Sequence, residues 1–169
     1  MSEHSIEIAP YTKPHQDGVL DVILPIQQQE FEIPITLEAQ PDLQDIERFY
    51  QKDDGNFWVA LAEGRVVGTI ALLDIGDRTA ALRKMFVAAE WRGAKYRVAA
   101  KLLETLFAWS RNRNIDRVYL GTTAKFLAAH RFYEKNGFDE LERTDLPPAF
   151  PVLDVDTKFY VARLENVAR

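Results

Sequence analysis

The sequence contains no cysteine, so a disulfide, a thiolate metal site and a cysteinyl acyl-enzyme are all excluded. Serine occurs only at Ser2, Ser5 and Ser110, and none of these lies in a Gly-x-Ser-x-Gly turn, which argues against a serine hydrolase. Histidine is limited to His4, His15 and His130, too scattered to read as a metal cluster. A Gly-x-x-x-x-Gly-Lys-Ser/Thr loop is missing, which removes the commonest nucleoside-triphosphate site. Apolar runs such as 57–62 fall far short of the roughly 18 residues that cross a bilayer. The start Met1-Ser2-Glu3-His4 shows no basic-then-apolar leader, so the expectation is a cytoplasmic protein with no membrane partner. Lys and Arg number 21 against 26 Asp and Glu, a net charge of −5, which argues against a nucleic-acid binder and is mildly compatible with a cationic substrate. Covalent and metal-assisted routes are thus disfavoured, with no metal expected. Direct transfer between two bound substrates remains.

What is present reads as one globular domain. The chain has 169 residues, 47% of them apolar and 28% charged, enough to bury a single core. Ser5–Ala9 alternates like a short strand. A helix is predicted over His15–Glu30, with Pro25 set to kink or interrupt it. An irregular stretch, Phe31–Thr36, leads to a second helix from Asp42 to Tyr50, placed just after Pro41. Strands are predicted at Phe57–Ala62 and Arg65–Leu73 with a Glu63-Gly64 hairpin, and at Thr79–Val87 after Gly76-Asp77. From Gly93 to about Asn112 the period becomes helical. Arg117–Gly121 is a short strand, Thr123–Asn136 a second late helix stopped by Gly137, and strands at Phe138–Arg143 and Lys158–Leu164 flank a proline-rich connection. The order implies α/β architecture: one mixed sheet with helices on both faces.

Two segments carry chemistry. The first is the strand-to-helix junction Met85-Phe86-Val87-Ala88-Ala89-Glu90-Trp91-Arg92-Gly93-Ala94-Lys95-Tyr96-Arg97-Val98. A helix start offers unpaired N–H groups and a positive dipole end, suited to a pyrophosphate, and Arg92, Lys95 and Arg97 add positive side chains. A solvated basic helix start is the plainer reading of the same residues. The second is Ala129-His130-Arg131-Phe132-Tyr133-Glu134-Lys135-Asn136-Gly137-Phe138.

Together these segments resemble the GNAT family of acyl-CoA-dependent N-acyltransferases. The family's loop reads Arg/Gln-x-x-Gly-x-Gly/Ala and its late helix Asn-x-x-Ala-x-x-x-Tyr-Glu-Lys-x-Gly-Phe. Arg92 matches the first loop position; Ala129, Tyr133, Glu134, Lys135, Gly137 and Phe138 match the helix. Lys95 and Arg97 replace the loop glycines and Phe126 the asparagine; a side chain at a glycine position can obstruct the phosphates, but both replacements are cationic, so the expectation is that they bind the phosphates from outside. The resemblance implies a mostly antiparallel seven-stranded sheet, splayed between strands 4 and 5, with acetyl-CoA as co-substrate and no metal. It places the pantetheine arm against Met85, Phe86 and Val87, in the manner of a strand added to a sheet edge, with an oxyanion met by the N–H of Met85 or Phe86. It places the remaining cofactor contacts at Arg92–Val98 (Gly93, Ala94 and Tyr96 included), with Thr122 and Phe126 beside the arm.

The resemblance also makes Tyr133 the candidate general acid for the departing thiolate, since a phenol near pKa 10 can donate to a thiol near 8.5; a merely packed tyrosine is the alternative. The base is unassigned. Glu30 and Glu32 are candidates for acting through water or attracting the substrate, and His130 reads better as a histidine bonded to backbone. Trp58, Phe57, Phe107 and Trp91 read as packing, and Pro147, Pro148 and Pro151 as shaping the last hairpin. The implied activity is transfer of acetyl to the amine of a small molecule, amino acid or peptide, with a protein lysine or an antibiotic amine as other acceptors and a homodimer as an ordinary assembly. A coenzyme A-binding module without turnover, a sensor or partner subunit, is the reading from a different class.

Overall fold

The computed structural model describes residues 5–124 and 126–167; Ser2, His4 and the Met1–His4 start discussed above lie outside them. Seven strands form one sheet in the order β1-β2-β3-β4-β5-β7-β6. They are β1 (Ile6–Pro10), β2 (Asn56–Ala62), β3 (Arg65–Gly76), β4 (Thr79–Val87), β5 (Arg117–Thr122), β6 (Phe138–Leu141) and β7 (Lys158–Arg163). All neighbours are antiparallel except β4 and β5. The β2–β3 hairpin closes on Glu63 and Gly64, at φ 51° and 81°, the left-handed pair that a tight turn requires.

The helices are α1 (Gln16–Pro25), α2 (Pro41–Gln44), α3 (Ile46–Tyr50), α4 (Val98–Asn112) and α5 (Leu127–Lys135). One face of the sheet packs α1 and α3 through Val19, Ile23, Ile46 and Tyr50 against Phe57, Val59 and Ala71. The other packs α4 and α5 through Val98, Leu102, Leu106 and Tyr133 against Trp58, Ile70, Leu82 and Leu120. A smaller cluster around Tyr119, Phe150, Phe159 and Val161 lies under the β6–β7 connection. Among the described residues no helix is long and apolar enough to cross a membrane.

Local chemistry explains where elements depart from their expected limits. The helix expected over His15–Glu30 is α-helical only to Pro25, which lacks an N–H to continue the ladder; a wider turn follows, with the Phe31 N–H donating to the Ile26 carbonyl at 3.0 Å. The helix expected over Asp42–Tyr50 splits at Asp45, whose φ of −148° is extended and whose carboxylate accepts from the Arg48 N–H at 3.4 Å, a local bond that competes with the helix. The long helix begins at Val98 rather than Gly93, because Arg97 sits at φ 54° in the left-handed region. The late helix starts at Leu127 rather than Thr123, just after the Phe126 N–H bonds back to the Thr123 carbonyl at 3.1 Å. β6 stops at Leu141, where the chain turns into a short 3-10 segment at Arg143–Asp145.

The feature that matters for function is a bulge in β4. Opposite β3, Phe86 pairs with Thr69 and Arg83 with Ala71, so Lys84 and Met85 together face the single residue Ile70. Lys84 takes φ 52°, and the buried Thr69 hydroxyl donates to its carbonyl at 2.7 Å, which pins the extra residue. A bulge of this kind bends its strand. β4 pairs with β5 only from Thr79↔Arg117 to Ala81↔Tyr119. Beyond that point β4 follows β3 while β5 follows β7 through Leu120↔Tyr160 and Thr122↔Lys158. The sheet is split there.

Candidate active site

The split opens a cavity of about 560 Å³. Its walls are Met85, Phe86 and Val87 on β4, Leu120, Gly121 and Thr122 on β5, and Phe126, Ala129, Phe132 and Tyr133 on and before α5. From Arg83 to Val87 the β4 edge that faces β5 has no strand partner among the described residues, so backbone groups there are available to an extended ligand. A second cavity of about 500 Å³ adjoins it at the start of α4, lined by Trp91, Arg92, Gly93, Ala94, Arg97, Ala99 and Ala100, and shares Val87, Arg92, Gly93, Ala99 and Phe132 with the first. A narrow apolar slot thus leads to a helix N-terminus. That pairing suits an uncharged arm carrying a diphosphate.

Tyr133 is 6% exposed and lines the slot. Its ring is held edge-on against Phe138 at 5.4 Å and tilted against Tyr160 at 6.0 Å. Burial alone pushes its hydroxyl well above the usual phenol range, so it keeps its proton at any working pH. Desolvation would raise the pKa of a thiolate in the same slot too, which narrows the gap across which the proton must move.

The junction loop divides into residues that face the cavities and residues that stand behind them. Arg92 donates from Nε to the Val87 carbonyl at 2.8 Å, capping the end of β4. Its other nitrogens grip Glu30 in a two-pronged pair at 2.6 and 2.8 Å. That pair holds the Glu30 carboxyl below its ordinary range, and it occupies Glu30 as a brace between the turn after α1 and the loop. Glu32 is exposed and does not line the cavity. Lys95, Tyr96 and Val98, expected as contacts, line neither cavity. Tyr96 packs on Trp91 at 4.8 Å, Lys95 lies 5.3 Å over the Tyr96 ring, and Val98 is buried against β3, where a Cβ on Gly68 would meet it at 3.0 Å. Arg97 lines the second cavity, its guanidinium paired with Glu104 at 2.9 Å. It adopts the left-handed conformation without being glycine. Phe126 lines the slot and packs edge-on against Phe31 at 4.5 Å. His130 is 7% exposed, with Nε2 2.9 Å from the Thr123 carbonyl, a structural histidine.

Sequence reasoning missed the far end of the slot. Arg83 and Lys84 both line it, with side chains 14% and 7% exposed. Strict alternation would send them to opposite faces, but the bulge turns both toward Asp42, at 3.9 Å and 3.5 Å. Asp42 is 3% exposed and also accepts from the Tyr50 hydroxyl at 2.6 Å. Lys84 donates to Gln40 Oε1 at 2.6 Å, and Gln40 exchanges amide bonds with the buried Gln27. Burial lowers the Lys84 ammonium below its ordinary range, against the pull of Asp42. The sequence did carry a signal: two adjacent cations inside an otherwise apolar strand.

Comparison with known proteins agrees with this geometry. The family model described as "Acetyltransferase (GNAT) family" matches residues 20–138. The crystal structure of a GNAT-family acetyltransferase from Staphylococcus aureus Mu50 superposes with a TM-score of 0.91 at 41% identity, covering 95% of this chain and 99% of that one. PaiA N-acetyltransferase from Thermoplasma acidophilum, solved in complex with coenzyme A, superposes at 0.74 with 18% identity over 94% of this chain and 99% of that one, a likeness of fold. In sequence, N-acetylaspartate synthetase from Danio rerio is 39% identical over 106 residues, which is 62% of this chain and 37% of that protein. The chain therefore spans little more than a third of the length of that curated relative. A split seven-stranded sheet, a helix start at its mouth and a family match over most of the chain lead to one conclusion: the protein belongs to the GNAT family of acetyltransferases.

Proposed function

We propose that the protein transfers acetyl from acetyl-CoA directly to the amine of a small acceptor that carries a carboxylate, an acidic amino acid foremost. The observation that carries the reading is the slot itself, with an unpaired β4 edge and Tyr133 along it and Arg83 and Lys84 at its end. Coenzyme A fits these residues: the β4 edge at Met85–Val87 would hold the pantetheine arm, and the α4 start with Gly93, Ala94 and Arg97 the diphosphate. The thioester of acetyl-CoA would supply the activated acetyl group there.

The chain's own residues do the rest. The β4 backbone aligns the carbonyl beside the amine, which makes the encounter effectively unimolecular. An N–H at Met85 or Phe86 faces the developing oxyanion. Tyr133 gives its proton to the leaving sulfur. On the acceptor side, one carboxylate within 4 Å, Asp42, faces two cations. Local charge decides recognition here, so an anionic group is favoured despite the net charge of −5. The relative named N-acetylaspartate synthetase points the same way.

The test is release of free thiol from acetyl-CoA with aspartate, glutamate, alanine, lysine and a simple diamine. The dicarboxylates should exceed the diamine in kcat/KM by more than about tenfold, and Lys84→Met should erase most of that margin. A preference for the diamine would overturn the acceptor assignment. Tight binding of coenzyme A with no thiol release on any amine would favour the non-catalytic module.

A further inference from the structure

The β6–β7 connection brings a carboxylate up against the β5 wall of the slot. Asp156 lies two residues before β7, and the chain beside it is tied to the rim of the cavity: the Thr157 N–H donates to the Thr122 carbonyl at 2.9 Å. The Asp156 side chain accepts from the Leu153 N–H at 2.9 Å through Oδ2. It rests directly on Gly121, a residue of the cavity wall. A Cβ on Gly121 would stand 2.6 Å from Asp156 Oδ2 and 3.1 Å from the Phe159 ring, so only glycine admits the carboxylate to the surface of β5. Gly121 alternates with Leu120 and Thr122 and lies on the Tyr119–Phe159 face, the face toward which Arg83 and Lys84 turn. Asp156 is not itself a cavity-lining residue: it stands directly behind Gly121 on the β5 side of the split, opposite this cation pair on the β4 side.

We propose that Asp156 is the general base that takes a proton from the ammonium group of the acceptor. This deepens the acetyl-transfer reading above and rests on it. The arrangement suits a zwitterion: its carboxylate meets Arg83 and Lys84, and its ammonium meets Asp156. Asp156 accepts one proton from R–NH3+, which frees the nitrogen lone pair. A C–N bond forms at the thioester carbonyl, and the C–S bond breaks with its electron pair going to sulfur. Tyr133 protonates that sulfur, and the second proton lost by nitrogen restores the Tyr133 hydroxyl. Asp156 returns its proton to solvent, so the balance is acetylated amine, free thiol and one proton.

The charged groups around Asp156 are Arg83 and Lys84 on β4 and Arg143 in the turn after β6, all cationic, with Asp42 beyond the β4 pair. Burial raises the Asp156 carboxyl above the ordinary 3.8, and the Leu153 N–H and the three cations only partly counter it. A raised carboxylate is a better proton acceptor, and the same cations lower the pKa of an ammonium placed among them.

The experiment compares Asp156→Asn with the unmodified chain in thiol release across about pH 5 to 10, using whichever amine the chain accetylates best, with coenzyme A affinity measured by calorimetry. Asn keeps a carbonyl for the Leu153 N–H, so a merely structural role predicts unchanged rates. A base role predicts a neutral-pH loss of about a hundredfold or more in kcat/KM, unchanged coenzyme A affinity, and a rate that climbs with pH as free amine appears, approaching the unmodified chain at the alkaline end. Parallel pH profiles, or rates within about threefold at neutral pH, would overturn the assignment. Gly121→Ala supplies a second route: it displaces the carboxylate and should steepen the profile in the same direction, and an unaltered profile would count equally against the proposal. If carboxylate-free amines prove the better acceptors, the acceptor reading fails while the Asp156 comparison stands on those amines. If no amine releases thiol, both fail together.

Discussion

Replacing Asp42 by Asn should lower stability and tighten acceptor binding at once. The carboxylate is 3% exposed and sits 3.5 Å from Lys84 Nζ and 3.9 Å from Arg83. At such distances each attraction is about 4 kcal/mol at an effective dielectric near 20, against a desolvation cost already incurred by all three groups. Asn preserves the shape and can still accept from the Tyr50 hydroxyl, now without charge assistance. It leaves two neighbouring cations without their nearest counter-ion, with Asp156 the carboxylate that remains around them. Removing one partner of a buried pair typically costs about 3–5 kcal/mol, and at roughly 2–4 °C per kcal/mol for a domain of this size the midpoint should fall by roughly 10 °C. The same change gives the slot a larger positive surplus, so KM for a dicarboxylate acceptor should fall, and that acceptor should restore much of the lost melting temperature. Calorimetric melting of both proteins, with and without aspartate, reads both effects. A loss below about 1 kcal/mol, or a melting point indifferent to aspartate, would refute the claim that Arg83 and Lys84 pair with Asp42 and still attract a substrate carboxylate.

Three further outcomes are expected. Tyr133→Phe should lower kcat tenfold or more while coenzyme A affinity stays nearly constant, because the hydroxyl is needed only as sulfur departs; stopped-flow thiol detection with calorimetric binding checks both. Gly68→Ala drives a methyl to 3.0 Å from Val98 and 3.2 Å from the Phe86 carbonyl, so it should cost about 1–3 kcal/mol and weaken coenzyme A binding severalfold by shifting the α4 start, as urea unfolding and titration would show. Asp156→Asn should also flatten the pH dependence of stability. The raised Asp156 carboxyl makes the folded chain hold a proton that the unfolded chain releases, so stability falls as pH rises from 3.8 through the raised value and stays lower at neutral pH. The Asn variant lacks that slope and should melt higher at pH 7.

The sequence made the sheet, the late helix and the β4 and α5 residues that line the slot legible, because each rests on local signals. Glu63-Gly64 and Gly137 mark turns whose φ values are 51°, 81° and 97°, and the Val98–Asn112 stripe carries the helical period. The position of Tyr133 in the slot followed from the pattern Tyr-Glu-Lys-x-Gly-Phe. The end of the slot at Arg83 and Lys84 was not legible, since it depends on contacts distant in sequence. Glu30 was named for its charge, but its partner Arg92 is 62 residues away. Arg83 and Lys84 share a face only because of a bulge, and the bulge depends on a hydroxyl 15 residues earlier, Thr69. Asp156 sits in a connection without periodicity, and only its contact with Gly121 gives it a place. Lys95 and Arg97 show the limit of motif reading: at Arg97 the backbone takes the shape glycine would take, while Lys95 simply points elsewhere, over Tyr96.

The central claim is that the unpaired β4 edge and the α4 start receive one extended ligand. Amide hydrogen exchange with and without coenzyme A measures this directly. The account predicts marked slowing at Met85–Val87 and at Gly93–Val98, with β1 and β2 unchanged. Saturating coenzyme A that leaves exchange at Met85–Val87 unaltered would contradict it.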